Sequence, residues 1–355
     1  YKIKNIVDPI RLKFKECLYP YKNLCIDENL LLFKGRLFFK QFIPLKKSRF
    51  GVKFFVMCDC KSGYVLDFII YTGATTQLDR NYGLGVGGDV VMTLMMPYLN
   101  KNHSLYVDNW YTSPNLFQTL HSAQTYCCGT VRKNRIGMPK FTRRLLRGES
   151  EIHHTKNNTM LAHLWKDKRD VTMLSTIHSG NMVPSNKIDR VTGEPIMKPE
   201  TVIEYSKNMG AVDRSDSMIS FVKSIRKTMW WYKKVFFHIV DLCMLNAYYT
   251  YKETTGKQVS LGSFQLEVIR QLISKHCRHT PKVRQLKRTH DNVPFRMSGK
   301  NGHFLTECDK LFITKRRLCV ICLASKKRKN SAFACETCKV DRKSTRLNSS
   351  HRFRS

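Results

Sequence analysis

Short apolar runs that end on an acidic residue recur along the chain and predict strands of a sheet. Leu24-Cys25-Ile26 leads into Asp27, and Leu105-Tyr106-Val107 leads into Asp108. A buried strand that ends on a carboxylate carries that charge to the sheet edge, where open α/β sheets bind their ligands. We therefore expect Asp27 and Asp108 to lie at such an edge.

Helical spacing predicts a third acidic position. Asp213 and Asp216 follow the apolar segment Met209-Gly210-Ala211-Val212 at the start of a predicted helix. Their spacing of three residues puts both carboxylates on one helix face. Earlier, Asp8-Pro9 suits the start of a short helix that carries Ile10 and Phe14 on one side.

The remaining pattern indicates a mixed α/β chain. Two β-rich runs, 52–57 and 64–71, are joined by a turn and predict a hairpin. Helices are predicted at 90–99, 114–121, 230–251 and 264–274, and a further strand is predicted at 125–131.

A glycine-rich segment formally matches a dinucleotide-binding pattern. Gly83-Leu-Gly-Val-Gly-Gly88 has the required spacing, and Asp108 lies 20 residues beyond it. The preceding residues 77–82 are polar and form no strand, so we favour a flexible loop.

The long gap between Asp108 and Asp213 predicts an insertion. Ordinary connections span about 4–6 residues. Residues 136–205 alternate short β-like runs with turn signals, which favours a small β-rich insertion. The predicted organisation is a lead-in helix of a missing N-terminal region (1–23), the first part of the core (24–135), the insertion (136–205), the second part of the core (206–280), a basic linker (281–318), a cysteine-rich region (319–340) and a tail (341–355).

Both ends of the chain look artificial. The chain starts at Tyr1 without methionine, so we expect an upstream part to be missing. Residues 341–355 read as a translation of a sequencing-library adapter, and we exclude them from the fold prediction.

Charge points to a polyanionic partner. The 355 residues include 62 Lys and Arg against 27 Asp and Glu, a formal net charge of +35. Such a charge attracts polyanions over long range, and nucleic acid is the leading partner, with a membrane surface the weaker alternative. No apolar run approaches the roughly 20 residues of a membrane span, and we find no signal peptide. The scattered cysteines favour a reducing compartment.

Three acids on separate elements of a basic chain predict a centre for Mg²⁺ or Mn²⁺ that acts on phosphodiesters. Two divalent ions about 3.5–4 Å apart activate the attacking oxygen and stabilise the leaving one. We assign Asp27 as the bridging ligand, Asp108 and Asp213 as ligands of one ion each, and Asp216 as an additional ligand or an acid just outside the ligand set. Turn formation at Asp108, a solvated loop at Asp27 and a favourable helix dipole at Asp213 are the alternatives.

Basic clusters beside predicted strand ends are candidate DNA contacts. Lys46, Lys47 and Arg49 flank one strand, and Arg132, Lys133 and Arg135 follow another. Ordinary solvated surface is the alternative. The basic tract 326–329 is a candidate nuclear localisation signal or phosphate contact, and we expect the nucleus.

Four cysteines near the end of the chain have the spacing of zinc ligands. Cys319 and Cys322 form one CxxC pair, and Cys335 and Cys338 form the second. They could form a single site, or in a cross-braced domain each pair would need partners from elsewhere.

The sequence motifs around the acids resemble those of the piggyBac family of transposases and their domesticated relatives, and the resemblance extends from about Ile6 to Cys338. The motifs are Ile26-Asp-Glu28, Phe33-Lys-Gly-Arg36, Phe42-Ile-Pro44, Gly63-Tyr64, Tyr71-Thr-Gly73, Val107-Asp-Asn-Trp-Tyr-Thr-Ser113, Gly129-Thr-Val-Arg132 and Gly210-Ala-Val-Asp-Arg-Ser-Asp216.

This resemblance implies an RNase H-like core of the DDE/DDD type, interrupted by an insertion domain before the last catalytic helix. It implies that the catalytic triad is Asp27, Asp108 and Asp213, with Asp216 as an additional acid. It also implies cut-and-paste DNA transposition at TTAA sites, in which a freed 3′-hydroxyl attacks the other strand. The family's C-terminal domain binds two zinc ions, and here that region is truncated. Ala211 replaces the usual second glycine before the third aspartate.

Three functions follow as hypotheses. The first is a metal-dependent DNA transposase that acts on double-stranded DNA, with a homodimer as its candidate assembly and zinc bound in the full-length protein. The second is a domesticated DNA- or chromatin-binding protein without strand transfer. The third is a zinc-dependent interaction module.

Overall fold

The computed structural model describes residues 2–44, 46, 49–188, 193–221, 224 and 228–276, and the backbone of 305–307 and 333–335. The chain divides into two compact units, residues 1–272 and 273–355, each considered by itself below.

The described residues form both helices and strands. The helices are α1 (Lys4–Cys17), α2 (Gly85–Met95), α3 (Pro114–Ser122), α4 (Glu200–Asn208), α5 (Ala211–Phe221), α6 (Trp231–Thr255) and α7 (Leu261–His276). The strands are β1 (Asn23–Leu32), β2 (Gln41–Phe42), β3 (Phe50–Asp59), β4 (Val65–Ile70), β5 (Ser104–Val107), β6 (Tyr126–Thr130), β7 (Ser150–His154), β8 (Leu161–Lys166), β9 (Asp170–Ser175), β10 (Met182–Ile188), β11 (Pro195–Pro199), β12 (Leu305–Glu307) and β13 (Phe333–Cys335).

A nine-stranded mixed sheet organises the first unit. Its strand order is β2-β3-β1-β5-β6-β9-β8-β7, with β4 paired to β3. The central neighbours β1, β5 and β6 are parallel, whereas the flanking pairs are antiparallel. The paired segments of these three strands are mostly buried, as expected for a sheet covered on both faces.

Helices complete the core around this sheet. Helix α5 packs against β1 and β3, α1 packs against β4, and α3 packs against β6. Fully buried apolar residues from β1, β3, β5 and α2 form one continuous cluster. The parallel pairing of β1 with β5 ends in this rigid centre, at Ile26 and Val107, so the side chains that follow these two residues are held in place.

One sequence prediction at the start of the chain is wrong. Helix α1 begins at Lys4 rather than at Asp8-Pro9, and Pro9 lies inside it. A proline inside a helix cannot donate the backbone hydrogen bond of its turn. Val7 and Phe14 are buried against the sheet, and their burial outweighs the missing bond.

The region predicted as an insertion has two structural parts. Strands β7, β8 and β9 extend the main sheet, because β9 pairs antiparallel with β6. Strands β10 and β11 form a separate two-stranded sheet. The predicted boundaries at 136 and 205 stay predictions.

The second unit contains one described strand pair, β12 with β13. Cys319, Cys322 and Cys338 lie outside the described residues, and Cys335 is described only as backbone at the end of β13. The tail 341–355 also lies outside them. Within the described part of the chain, every helix is too short or too polar to span a bilayer.

Candidate metal centre

Two parallel strands bring acidic side chains together. Ile26 of β1 pairs with Val107 of β5, and this is the last parallel pair, so Asp27 in the middle of β1 and Asp108 just after β5 lie next to each other. One oxygen from each of Asp27, Glu28 and Asp108 lies within 4.8 Å of the others. We call these three residues the acidic cluster.

A local turn orients Asp108. Its side chain accepts a hydrogen bond from the backbone N–H of Trp110 at 2.9 Å. Its backbone carbonyl accepts hydrogen bonds from the Thr112 hydroxyl at 2.8 Å and the Thr112 N–H at 3.1 Å. This turn stops β5 at the carboxylate, so the turn prediction and the site prediction describe the same geometry.

The close acids and the burial of the site disfavour negative charge. Burial raises the pKa of Asp27 to about 7, although nearby Lys46 opposes this shift. Burial also raises the pKa of Asp108, while the N–H of Trp110 opposes the shift. A bound cation would reverse this penalty, because it stabilises the ionised carboxylates.

Glu28 strengthens the case for a cation. Its Oε2 atom is buried and has no hydrogen-bond partner among the described residues. A buried carboxylate oxygen without a partner is costly. Three hard oxygen donors within reach of one point are the ligands that Mg²⁺ and Mn²⁺ prefer, so the residues present fit such an ion.

Asp213 lies in the first turn of α5 and outside the acidic cluster. Its carboxylate is 69% exposed and lies 3.4 Å from the Lys46 ammonium group. Lys46 also donates a hydrogen bond to the backbone carbonyl of Glu28 at 3.0 Å. The lysine therefore connects Asp213 with the strand that carries Asp27.

Asp216 has a different local role in this structure. It accepts a hydrogen bond from the side chain of Asn29, a residue of β1 that is only 5% exposed. Asn29 lies two positions after Asp27, so both side chains point to the sheet face covered by α5. The Asn29–Asp216 bond thus ties α5 to β1 beside the cluster.

Two lysines lie next to the acids. Burial lowers the pKa of Lys46, but the carboxylates of Asp27 and Asp213 raise it by more, so the net shift is upward. Burial dominates for Lys53 and lowers its pKa. The Lys53 ammonium group lies 4.6 Å from the centre of the Trp110 ring, which stacks on Phe55.

The other predicted basic contacts occupy varied positions. Arg135 donates a hydrogen bond to the backbone carbonyl of Asn109, directly after Asp108. Lys133 pairs with Asp170 at 2.5 Å. Arg132 and Arg49 are exposed, and Lys47 lies outside the described residues.

Sequence reasoning missed Glu28, Asn29 and Lys53 as parts of this centre. Glu28 was visible as the neighbour of Asp27, but alternation along a strand predicts that adjacent side chains point to opposite faces. The sequence around Asn29 and Lys53 indicated strands but no role in a metal centre. Their relevance depends on the register of β1 with β3 and on the packing of α5.

Comparison with known proteins places this geometry in a family. The family model described as transposase IS4 matches residues 1–248. The chain belongs to the piggyBac-like transposase family. Its mixed α/β core is the RNase H-like core of these transposases. It matches a cryo-EM structure of the piggyBac transposase synaptic complex with hairpin DNA with a TM-score of 0.63 and 25% identity, over 96% of this chain and 73% of that one.

Curated relatives agree with this assignment. The chain is 27% identical to PiggyBac transposable element-derived protein 3 from Homo sapiens over 88% of its own length and 52% of that protein. It is 21% identical to PiggyBac transposable element-derived protein 5 from Homo sapiens, over 77% of its own length and 55% of that protein. The chain therefore spans about half the length of these transposase-derived relatives.

Proposed function

We propose that this chain is the core of a metal-dependent DNA transposase that cleaves DNA and joins the freed ends at TTAA sites in the nucleus. The observation that carries the proposal is the acidic cluster, three carboxylates with oxygens within 4.8 Å of one another at the point where the parallel pairing of β1 with β5 ends. Family membership supports the same chemistry.

The acids would hold the ions and so position the reacting groups. Asp27, Glu28 and Asp108 would hold one Mg²⁺ or Mn²⁺, and Asp213 would complete a second position with Asp27. The bound ions would activate the attacking oxygen and stabilise the leaving oxygen of the phosphodiester. Hydrolysis would free a 3′-hydroxyl, which then attacks the opposite strand.

Asp213 would have to release Lys46 to join a shared centre. The contact between them is long, and the Asp213 side chain is largely exposed, so only a weak interaction opposes this change. The freed Lys46 ammonium would remain beside the cluster, where it can contact a DNA phosphate.

The basic surface would bind double-stranded DNA. Arg132 and Arg135 follow β6, Lys46 and Arg49 lie between β2 and β3, and the net charge of +35 supports a polyanionic partner. The solved relative is a synaptic complex with hairpin DNA, which supports this proposal. Assembly of two copies and zinc binding by Cys319, Cys322, Cys335 and Cys338 in the full-length protein are further parts of the proposal.

The test is cleavage of DNA that carries transposon ends by the full-length protein with Mg²⁺ or Mn²⁺. Asp108→Asn should reduce nicking by about a thousandfold or more, because a bound ion contributes several kcal/mol of charge stabilisation. Asp167→Asn is the matched control, since Asp167 is an exposed acid that pairs with Arg147 away from the cluster. Equal nicking by Asp108→Asn and wild type would remove the assignment.

A second candidate is a DNA- or chromatin-binding protein without strand transfer. The position of Asp213 outside the acidic cluster favours it, and both curated relatives are named as transposable element-derived proteins. This candidate predicts tight DNA binding by wild type, no cleavage with either ion, and unchanged binding by Asp27→Ala.

A further inference from the structure

Two exposed phenylalanines form a pair on the outer edge of the sheet. Phe42 of β2 and Phe50 of β3 lie directly opposite each other in the antiparallel register. Phe42 is 54% exposed and Phe50 is 46% exposed, and their ring centres are 4.7 Å apart with planes tilted by 34°. Two large apolar rings side by side in solvent are typical of a contact surface.

Positive charge surrounds this pair. The Lys40 ammonium group lies 5.8 Å from the centre of the Phe50 ring. Arg49, the residue before Phe50, is exposed. Cores of protein interfaces are depleted in charge, whereas single-stranded nucleic acid pairs flat aromatic bases with an anionic backbone. Rings flanked by cations therefore fit a nucleic-acid strand better than a second protein.

By strand alternation, Phe50 lies on the same face of the sheet as Asp27 of the acidic cluster. Asp27 pairs with Val56 of β3, and Phe50 is six residues from Val56 along that strand, a separation of about 20 Å. This equals about six steps of a stacked DNA strand. The loop after β2 also reaches back to the cluster, because it carries Lys46 to the Glu28 carbonyl.

We propose that Phe42 and Phe50 form a stacking platform for unpaired nucleobases of a DNA strand whose phosphodiester lies at the acidic cluster. In a duplex the base faces are covered by neighbouring bases, so rings of this kind gain stacking only from bases that have left the helix. Lys40 and Arg49 contact the phosphates on either side of the stacked bases. This inference rests on the proposed function, because it takes DNA cleavage to occur at the cluster.

The test measures binding of a short single-stranded oligonucleotide that contains 2-aminopurine, whose fluorescence is quenched by stacking. The measurement is made with the full chain in EDTA, so it does not depend on cleavage. Phe42→Leu and Phe50→Leu keep an apolar side chain of similar size and remove the ring. Each should weaken single-strand affinity about tenfold and reduce the quenching, and the double variant should weaken it about a hundredfold.

Two controls separate stacking from other effects. Phe42→Tyr and Phe50→Tyr keep a ring and should bind as wild type does. Tyr19→Leu removes another exposed ring, 67% exposed and 5.8 Å from the Lys101 ammonium group. Tyr19 contacts His103 at the opposite end of β5 from Asp108, so its loss should leave the quenching unchanged.

Several outcomes would overturn the inference. Unchanged quenching in the double leucine variant would do so, as would an equal loss of affinity for single strands and for a blunt duplex. Loss of a dimer in the leucine variants, with quenching intact, would show that the rings contact a second copy. If quenching depends on the rings but the protein shows no metal-dependent nicking, the stacking platform is supported and the nuclease proposal is rejected. If the protein nicks DNA but quenching does not depend on the rings, the nuclease proposal is supported and the stacking platform is rejected.

Discussion

Carboxylates in two regions of the same sheet have opposite surroundings. Asp67 of β4 is fully buried, and Arg11 contacts both of its oxygens at 2.6 and 2.9 Å while Lys15 lies 2.9 Å away. The Phe68 N–H donates to it as well. Asp27 and Asp108 instead lie beside each other and Glu28, with one buried oxygen of Glu28 lacking a hydrogen-bond partner among the described residues.

The difference separates a structural acid from a candidate functional one. At Asp67 the fold supplies two cations and a backbone donor, so the charge is stabilised without any ligand. At the acidic cluster the fold concentrates negative charge and leaves its neutralisation incomplete. A site of this kind would gain stability from a bound cation, and perturbed carboxyl pKa values make it a candidate functional site.

The largest expected effect comes from titration of Asp27. In the folded protein the pKa of Asp27 is raised from 3.8 to about 7, so the protonated carboxyl group stabilises the folded state. This contribution is fully present below about pH 4 and is lost as the pH rises through about 7. Asp27→Asn should remove this loss. Its stability relative to wild type should grow by at most about 4 kcal/mol between pH 4 and 8, the equivalent of three pKa units.

Urea unfolding without divalent ions checks this prediction. A difference between wild type and Asp27→Asn that stays constant with pH would contradict it. Mn²⁺ added at pH 8 should stabilise wild type and leave Asp27→Asn unaffected, because the ion binds the folded cluster.

Replacing Asp67, the structural acid, should destabilise the folded protein, whereas Asp27→Asn should stabilise it at high pH. Asp67→Asn leaves Arg11 and Lys15 facing a neutral group in a buried setting and should lower the free energy of unfolding by about 3 kcal/mol. The urea midpoint should fall with an unchanged slope. A loss under about 1 kcal/mol would show that Asp67 is no better stabilised than a surface acid.

The contact between α5 and β1 should have an intermediate effect. Asn29→Ala removes the donor to the Asp216 carboxylate and should cost about 2 kcal/mol, since hydrogen bonds to charged groups contribute about 1.5–3 kcal/mol. Asn81→Ala, at an exposed asparagine, should stay within about 0.5 kcal/mol. Equal effects of the two substitutions in urea unfolding would argue against a structural role for the Asn29 contact.

The smallest effect is expected at an exposed acid. Asp170 of β9 pairs with Lys166 of β8 and with Lys133, which follows β6, but its side chain is 40% exposed. Asp170→Asn should change stability by less than about 1 kcal/mol, and the difference should shrink in high salt. A loss of about 2 kcal/mol or more in the free energy of unfolding that does not change with salt would show that Asp170 is a structural acid like Asp67.

The sequence by itself predicted most of the strands and helices and the two strand acids. It did not predict α4, and it placed Gly85–Gly88, the first turn of α2, in a loop. Apolar runs that end on Asp27 and Asp108, and the helix that begins near Asp213, follow from local periodicity, which depends on neighbours along the chain. The family motifs lie on the same segments, and the predicted RNase H-like fold is confirmed. The start of α1 was wrong, because tertiary burial overrode the usual position of proline.

Only the tertiary structure determined which acidic groups are neutralised by neighbouring residues. The sequence contains no local sign that Arg11 would neutralise Asp67, that Glu28 would join Asp27 and Asp108, or that Lys46 would contact Asp213. These contacts join residues that are distant along the chain, and their energies depend on burial and distance, which strand register and helix packing set. Local pattern therefore determines where a charge enters the fold, and packing determines whether that charge is stabilised within the protein or left for a ligand.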